Sequence, residues 1–154
     1  MKILVLSDSH GNIENMCHAV DLVRPCEILH LGDHIRDAEA LRRQYPDLPL
    51  EAVPGNCDWG SCETGEKLLE RGGVRILMMH GHTRRVKETA MDAVLAARQA
   101  GADILLFGHT HRSLVDRNGP LWIMNPGAAG DPFRASYGVI TIADGRTDCS
   151  IYRL

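Results

Sequence analysis

Five short polar clusters each follow directly on an apolar run. "ILVLS" leads into Asp8, Ser9, His10 and Gly11, and "EILHL" into Gly32 and Asp33. "LEAVP" leads into Gly55, Asn56, Cys57 and Asp58, "VRILMM" into His80, Gly81 and His82, and "ILLF" into Gly108, His109, Thr110 and His111. A turn needs only glycine or a small polar residue. Carboxylate, imidazole and carboxamide, without an obvious thiolate, are instead the donor set of a metal centre. They suit manganese, iron, cobalt, nickel or zinc in an open catalytic site better than in a closed structural one. Glycine beside each donor lets the backbone turn tightly and approach an ion. Taken singly, each residue also has an ordinary role: Asp8 and Asn56 as caps or turn residues, Asp33 as a turn carboxylate, the histidines as hydrogen-bonded loop groups. The repetition at five exits favours the chemical role.

For these clusters to act together, the strands must deliver them to one place. Apolar runs of strand length alternate with helical patterns at 12–23 and 37–45, an order that predicts a largely parallel sheet. In such a sheet the carboxyl ends share one edge, where ligand sites of α/β folds form. A further helix is expected over 84–100, with Val86, Ala90, Val94 and Ala97 on one face, Gly101 closing it, and Arg84 and Arg85 beginning its exposed face. The last third predicts hairpins around Asn118-Gly119 and Asp144-Gly145. A single α/β domain with two sheets and about ten strands accommodates this pattern.

The length of 154 residues fits one domain. The opening "MKILVLSDSH" has no basic leader or cleavage site, so a cytoplasmic location is expected. No apolar run is long enough to span a membrane. The five cysteines, at 17, 26, 57, 62 and 149, are odd in number and irregularly spaced, as for reduced thiols. Cys57 and Cys62 could be half of a zinc site, but no second pair follows. The net charge of −3, with two tryptophans, three tyrosines and two phenylalanines, argues against a nonspecific nucleic-acid binder. His18 and His30 match no cluster, and His30 is expected as a strand or core histidine. A homo-oligomer is neither required nor excluded.

The succession D-x-H, G-D, G-N-x-D, H-G and G-H-x-H resembles the motifs of the calcineurin-like metallophosphoesterases. The segment "NPGAAGDPFRASYGVI" is similar to the stretch that follows them in that family, and "GNCD" with the small size is nearest its compact YfcE-like phosphodiesterase branch. The resemblance implies a four-layer α-β-β-α sandwich of two mixed sheets. It also implies two divalent ions, manganese first, with nickel, iron, zinc or cobalt as alternatives. Asp8, His10, Asp33 and His111 would hold one ion, and Asp33, Asn56, His80 and His109 the other, with Asp33 bridging ions roughly 3.5–4 Å apart. Two divalent ions against Asp8 and Asp33 alone leave a net positive charge that attracts phosphate and acidifies water. The implied reaction is in-line attack by a metal-held hydroxide on a small phosphoester, a diester ahead of a monoester. Asp58 would stand behind the ligands, where it could fix a histidine tautomer. Arg134 could touch substrate phosphate, with a solvated loop arginine as the other reading.

One position departs from the pattern. Much of the wider family has a histidine, acting on the leaving group, where this chain has Cys57. A thiol with an ordinary pKa of about 8.5 is a poor substitute for imidazole. Either water or another residue, with His34 and His82 as candidates, protonates the leaving oxygen, or only good leaving groups depart fast. Two other roles stay open: a noncatalytic scaffold like the retromer subunit of this branch, and a nuclease like the larger DNA-repair relatives. The retained metal positions favour the enzyme, and no appended domain or basic stripe favours the nuclease.

Overall fold

The structure, a computed structural model, describes residues 1–61 and 64–154. Its elements are β1 (Lys2–Leu6), α1 (Ile13–Val23), β2 (Glu27–His30), α2 (Ile35–Gln44), β3 (Leu50–Ala52), β4 (Glu66–Arg71), β5 (Val74–Met79), α3 (Met91–Gln99), β6 (Ile104–Phe107), β7 (Leu114–Asn118), β8 (Leu121–Asn125), β9 (Ser136–Ala143) and β10 (Arg146–Arg153). One sheet runs β10-β9-β1-β2-β3 and the other β4-β5-β6-β8-β7. Both are mixed: β1, β2 and β3 are parallel, as are β5, β6 and β8, with antiparallel strands at the flanks.

The unbroken apolar runs of the parallel strands follow from burial on both faces. In β1, Ile3 and Val5 face the other sheet and pack with Ile76, Ile104 and Met124. The alternate residues Leu4 and Leu6 pack instead with Met16 and Val20 of α1 and Leu41 of α2. On the far side, Ala93, Val94 and Ala97 of α3 cover Leu77 and Leu105. The result is the expected α-β-β-α sandwich.

Two local expectations need correction, and one strand is additional to them. The helix expected over 84–100 occupies only Met91–Gln99. Residues His82–Arg84 form a 3₁₀ turn, and Arg85, at φ 53°, is left-handed and ends it. Val86 still joins the core of Val94 and Ala97, so the apolar spacing continues where the helix does not. Arg84 and Arg85 point outward onto Glu66 and Glu88 respectively. The first hairpin of the last third pairs Asn118 with Leu121, so its two-residue tip is Gly119-Pro120, one residue beyond the expected Asn-Gly. The second tip is as expected: Ala143 pairs with Arg146 around left-handed Asp144 and Gly145. Strand β4 was not foreseen. "EKLLER" is a half-buried edge strand whose register comes from pairing Arg71 with Val74 across Gly72-Gly73, a glycine pair that is itself a hairpin signal.

His30 closes β2 and is fully buried, as expected of a core histidine. The Gly32 N–H donates to its Nδ1 at 3.2 Å, leaving Nε2 to donate to Ser9 Oγ at 3.3 Å. Ser9 Oγ in turn donates to Asp37 Oδ2 at 2.8 Å, which also accepts the Gly11 N–H at 2.7 Å. This chain ties the loop after β1 to the first turn of α2. Burial pushes His30 down to about 4, against the pull of Asp8 and Asp37. The unfolded imidazole takes a proton below about pH 6.5 and the folded one only near 4, so stability present above 6.5 is lost as pH falls through that window. Denaturant unfolding of the metal-free protein should therefore lose about 3 kcal/mol through this site between pH 7 and pH 4. His30→Gln should flatten that slope, and an unchanged slope would contradict the assignment.

Candidate metal centre

The carboxyl ends of β1, β2, β3, β5 and β6 are stitched into one rim. The Asp8 N–H donates to the Gly32 carbonyl at 3.0 Å, and the Gly108 N–H to the His80 carbonyl at 3.0 Å. The His109 N–H crosses between the sheets to Asp8 Oδ2 at 3.1 Å. Asp8, His10, Asp33, His34, His109 and His111 all have positive φ, between 45° and 69°. That conformation costs a residue with a Cβ roughly 1–2 kcal/mol, and its concentration at these exits marks a functional rim. Two glycines owe their identity to space: a Cβ on Gly55 would meet Asp33 Oδ1 at 2.1 Å, and one on Gly108 would meet Ser7 Oγ at 2.0 Å.

On this rim Asp8, His10, Asp33 and His111 form one group, and Asp33, His80 and His109 a second, the candidate donor atoms of each group lying within 4.8 Å of one another. His10 Nε2 stands 3.4 Å from His111 Nε2, and His111 Nε2 stands 3.1 Å from Asp8 Oδ1. Asp8 is wholly buried and its Oδ1 has no hydrogen-bond partner, while Oδ2 accepts from Ser7 Oγ at 2.5 Å. His80, also wholly buried, donates from Nδ1 to the Leu31 carbonyl at 2.8 Å. In the neutral ring that bond leaves the lone pair on Nε2, which faces Asn56 Oδ1 at 3.1 Å, His109 Nδ1 at 3.2 Å and Asp33 Oδ1 at 3.5 Å. Asn56 thus completes the second group.

Electron-rich atoms turned toward one another away from water repel unless something positive lies between them. Among the described residues no lysine or arginine forms an ion pair with Asp8 or Asp33. His109 does not supply that charge, because burial, with the charge of a protonated His80 beside it, pushes it down to about 4. Burial resists ionisation of Asp33, but the Cys57 N–H bond at 2.9 Å and nearby His80 outweigh it and hold the carboxyl below its ordinary range. The donor set accordingly fits divalent cations: mixed oxygen and nitrogen atoms, one orphaned carboxylate oxygen and one carboxylate common to both groups.

The other expected residues fall around this cluster in different ways. Cys57 is exposed at its edge, its thiol pushed up by burial of the sulfur and by Asp33. Asp58 accepts from the Ile35 N–H and the Gly55 N–H, each at 2.8 Å, so it clamps the loop after β3 to the start of α2 rather than orienting a histidine. The His80 tautomer is set instead by the Leu31 carbonyl. His82 is half-buried with its ring 5.4 Å from that of His80, and burial pushes it down. The His34 ring lies 5.1 Å from that of His10. Arg134 is exposed, and its backbone N–H donates to Asp131 at 2.8 Å. No described contact joins its guanidinium to the cluster. Cys62 lies outside the described residues.

Sequence reasoning missed the groups behind the donors. Ser7 bonds Asp8, while Asn125 Nδ2 donates to the Gly108 carbonyl at 2.8 Å and to Thr110 Oγ1 at 3.0 Å. Asn125 had a usable signal, because it ends the apolar run of β8 as the donors end theirs. Asp37 is a buried carboxylate inside a helix otherwise rich in charge, and nothing in its spacing set it apart.

Comparison with known proteins agrees with this geometry. Residues 1–147 match the calcineurin-like phosphoesterase superfamily domain. The probable metallophosphoesterase YsnB of Bacillus subtilis is 31% identical over 156 residues, spanning 99% of this chain and 90% of that protein. The structure of a predicted phosphoesterase from Streptococcus pneumoniae TIGR4 superposes with a TM-score of 0.80 at 25% identity, over 99% of this chain and 88% of that one. Vps29 from Entamoeba histolytica, complexed with zinc, shares the fold with a TM-score of 0.77 at 21% identity over 99% of both chains. Motifs, fold and family match coincide over nearly the whole length, and the chain belongs to the calcineurin-like phosphoesterase superfamily.

Proposed function

We propose that the protein is a dinuclear, divalent-metal-dependent hydrolase of small phosphoesters, and within that class a phosphodiesterase. The observation that carries this reading is Asp33, whose carboxylate belongs to both donor groups. Two divalent ions, manganese first among the candidates, would offset charge on the phosphoryl oxygens and acidify an attacking water. Asp33 holds the two halves of the site at a common carboxylate, and neutral Asn56 supplies a donor without cancelling positive charge. The Cys57 N–H keeps Asp33 ionised by bonding its Oδ1. A cleft of about 810 Å³ opens beside Cys57 and leaves room for a second ester group, which supports a diester. A noncatalytic scaffold on this fold, as the likeness to Vps29 suggests, has no need of the complete donor set. No helix among the described residues is long and apolar enough to cross a membrane.

Manganese should confer hydrolysis of bis(p-nitrophenyl) phosphate, and a chelator should abolish it. Asp33→Asn should lower kcat by more than the roughly 10–100-fold typical of groups that merely support a metal ligand, and by more than Asn56→Ala does. Near-normal turnover of Asp33→Asn would refute the shared carboxylate.

The leaving oxygen departs, on this reading, without a proton from the protein. Cys57 is a weak acid at the edge of the site, and His34 and His82 flank opposite ends of the cluster. Nitrophenyl diesters should then be cut far faster than alkyl ones, and Cys57→His should narrow that gap by part of the roughly 10²–10⁴-fold that a general acid supplies. Equal rates on both esters in the unmodified protein, with chemistry limiting, would show that an acid already acts.

A further inference from the structure

Beside the metal centre a cleft of about 810 Å³ separates the first turns of α2 from the loop 57–61. It is continuous with the centre at two residues that line both. Cys57 bonds Asp33 through its N–H, and the ring of His34 lies against that of His10. On the loop side the cleft is lined by Trp59, which is 93% exposed. An indole left in water contributes almost nothing to the core, and a single exposed aromatic would by itself mean little. The chain just before this one is held in place. Asp58, the residue before it, is bonded at both carboxylate oxygens to the Ile35 and Gly55 N–H groups, so the loop is anchored one residue short of the indole.

The opposite wall is charged. Arg36, Glu39 and Arg42 of α2 line it, and Arg42 is occupied with the Leu50 carbonyl at 2.9 Å. Arg36 has no ion pair among the described residues. A cleft with one aromatic face and one charged face suits a planar, polar ring better than an acyl chain, which would leave the charged wall desolvated and unpaired. We infer that Trp59 is a specificity residue: it stacks on an aromatic ester group of the substrate, of the aryl or nucleobase kind, carried by the phosphorus bound at the metal centre. The inference rests on the phosphoester reading of that centre.

Two measurements test it, and only one of them needs turnover. On the manganese-loaded protein, phenylphosphonate and methylphosphonate present the same phosphoryl group with and without a ring, and neither has a P–O–C bond to cut. Calorimetry should find phenylphosphonate bound about tenfold tighter, within the lower half of what ring stacking supplies. Trp59→Ala should erase the difference and Trp59→Phe should keep most of it. In turnover, p-nitrophenyl phenyl phosphate should be preferred over p-nitrophenyl methyl phosphate by a similar factor in kcat/KM, the nitrophenolate leaving group being common to both, and Trp59→Ala should bring the two toward parity. Since Trp59 is almost fully exposed, its loss should not disturb folding. Equal binding of the two phosphonates, or a ring preference that survives in Trp59→Ala, would overturn the inference. Absence of turnover on both esters would instead count against the hydrolase reading, while the phosphonate comparison still decides the role of Trp59.

Discussion

Electron-rich atoms brought together out of water, with no lysine or arginine paired to them among the described residues, are the constraint on which the rest of this structure depends. The fully buried carboxylate of Asp8, the nearly buried carboxylate of Asp33 and the lone pair of His80 would each be better satisfied apart. The chain holds them together at a cost in backbone strain, with six non-glycine residues of the rim, Asp8, His10, Asp33, His34, His109 and His111, in the left-handed region. It reinforces that geometry from behind. Ser7 and the His109 N–H bond one oxygen of Asp8, the Leu31 carbonyl fixes His80, and Asn125 holds the Gly108 carbonyl and Thr110. Pre-organisation of this kind stores unfavourable energy that binding a cation can release.

The architecture explains why strands, rather than loops alone, carry this site. Two sheets packed through Ile3, Val5, Ile76 and Ile104 bring the carboxyl ends of β1, β2, β5 and β6 against each other across an apolar core. Each donor follows the end of a parallel strand by one residue, as His80 does, to four, as His10, Asn56 and His111 do, so its position is set close to a strand anchored in the core. His30 extends that rigidity into a polar chain through Ser9 to Asp37. Its neutrality is a condition of the packing, which couples the site's support to pH even without metal.

Much of this was legible in the sequence for a physical reason: parallel strands buried on both faces leave long apolar runs, so a polar cluster at the end of each stands out. The α/β class, the two sheets and the residues gathered on the rim follow from that contrast, whereas the four-layer sandwich was implied by the family resemblance. What escaped was set by contacts distant in sequence. The helix expected from residue 84 has the right apolar spacing, yet left-handed Arg85 breaks it while Val86 packs as a helical residue would. The role of Asp58 in clamping the loop to α2 depends on the Ile35 N–H, twenty-three positions away. Ser7 and Asp37 lie in an ordinary strand end and an ordinary charged helix, and only tertiary structure makes them supports.

The central claim is that one carboxylate, Asp33, serves two ions. Anomalous diffraction from crystals of the manganese-loaded protein tests it most directly, because it counts and positions the ions without reference to any substrate. The account predicts two anomalous peaks roughly 3.5–4 Å apart, one among Asp8, His10 and His111, the other among Asn56, His80 and His109, with Asp33 in contact with both. A single peak at full manganese occupancy, or two peaks of which Asp33 touches only one, would contradict it.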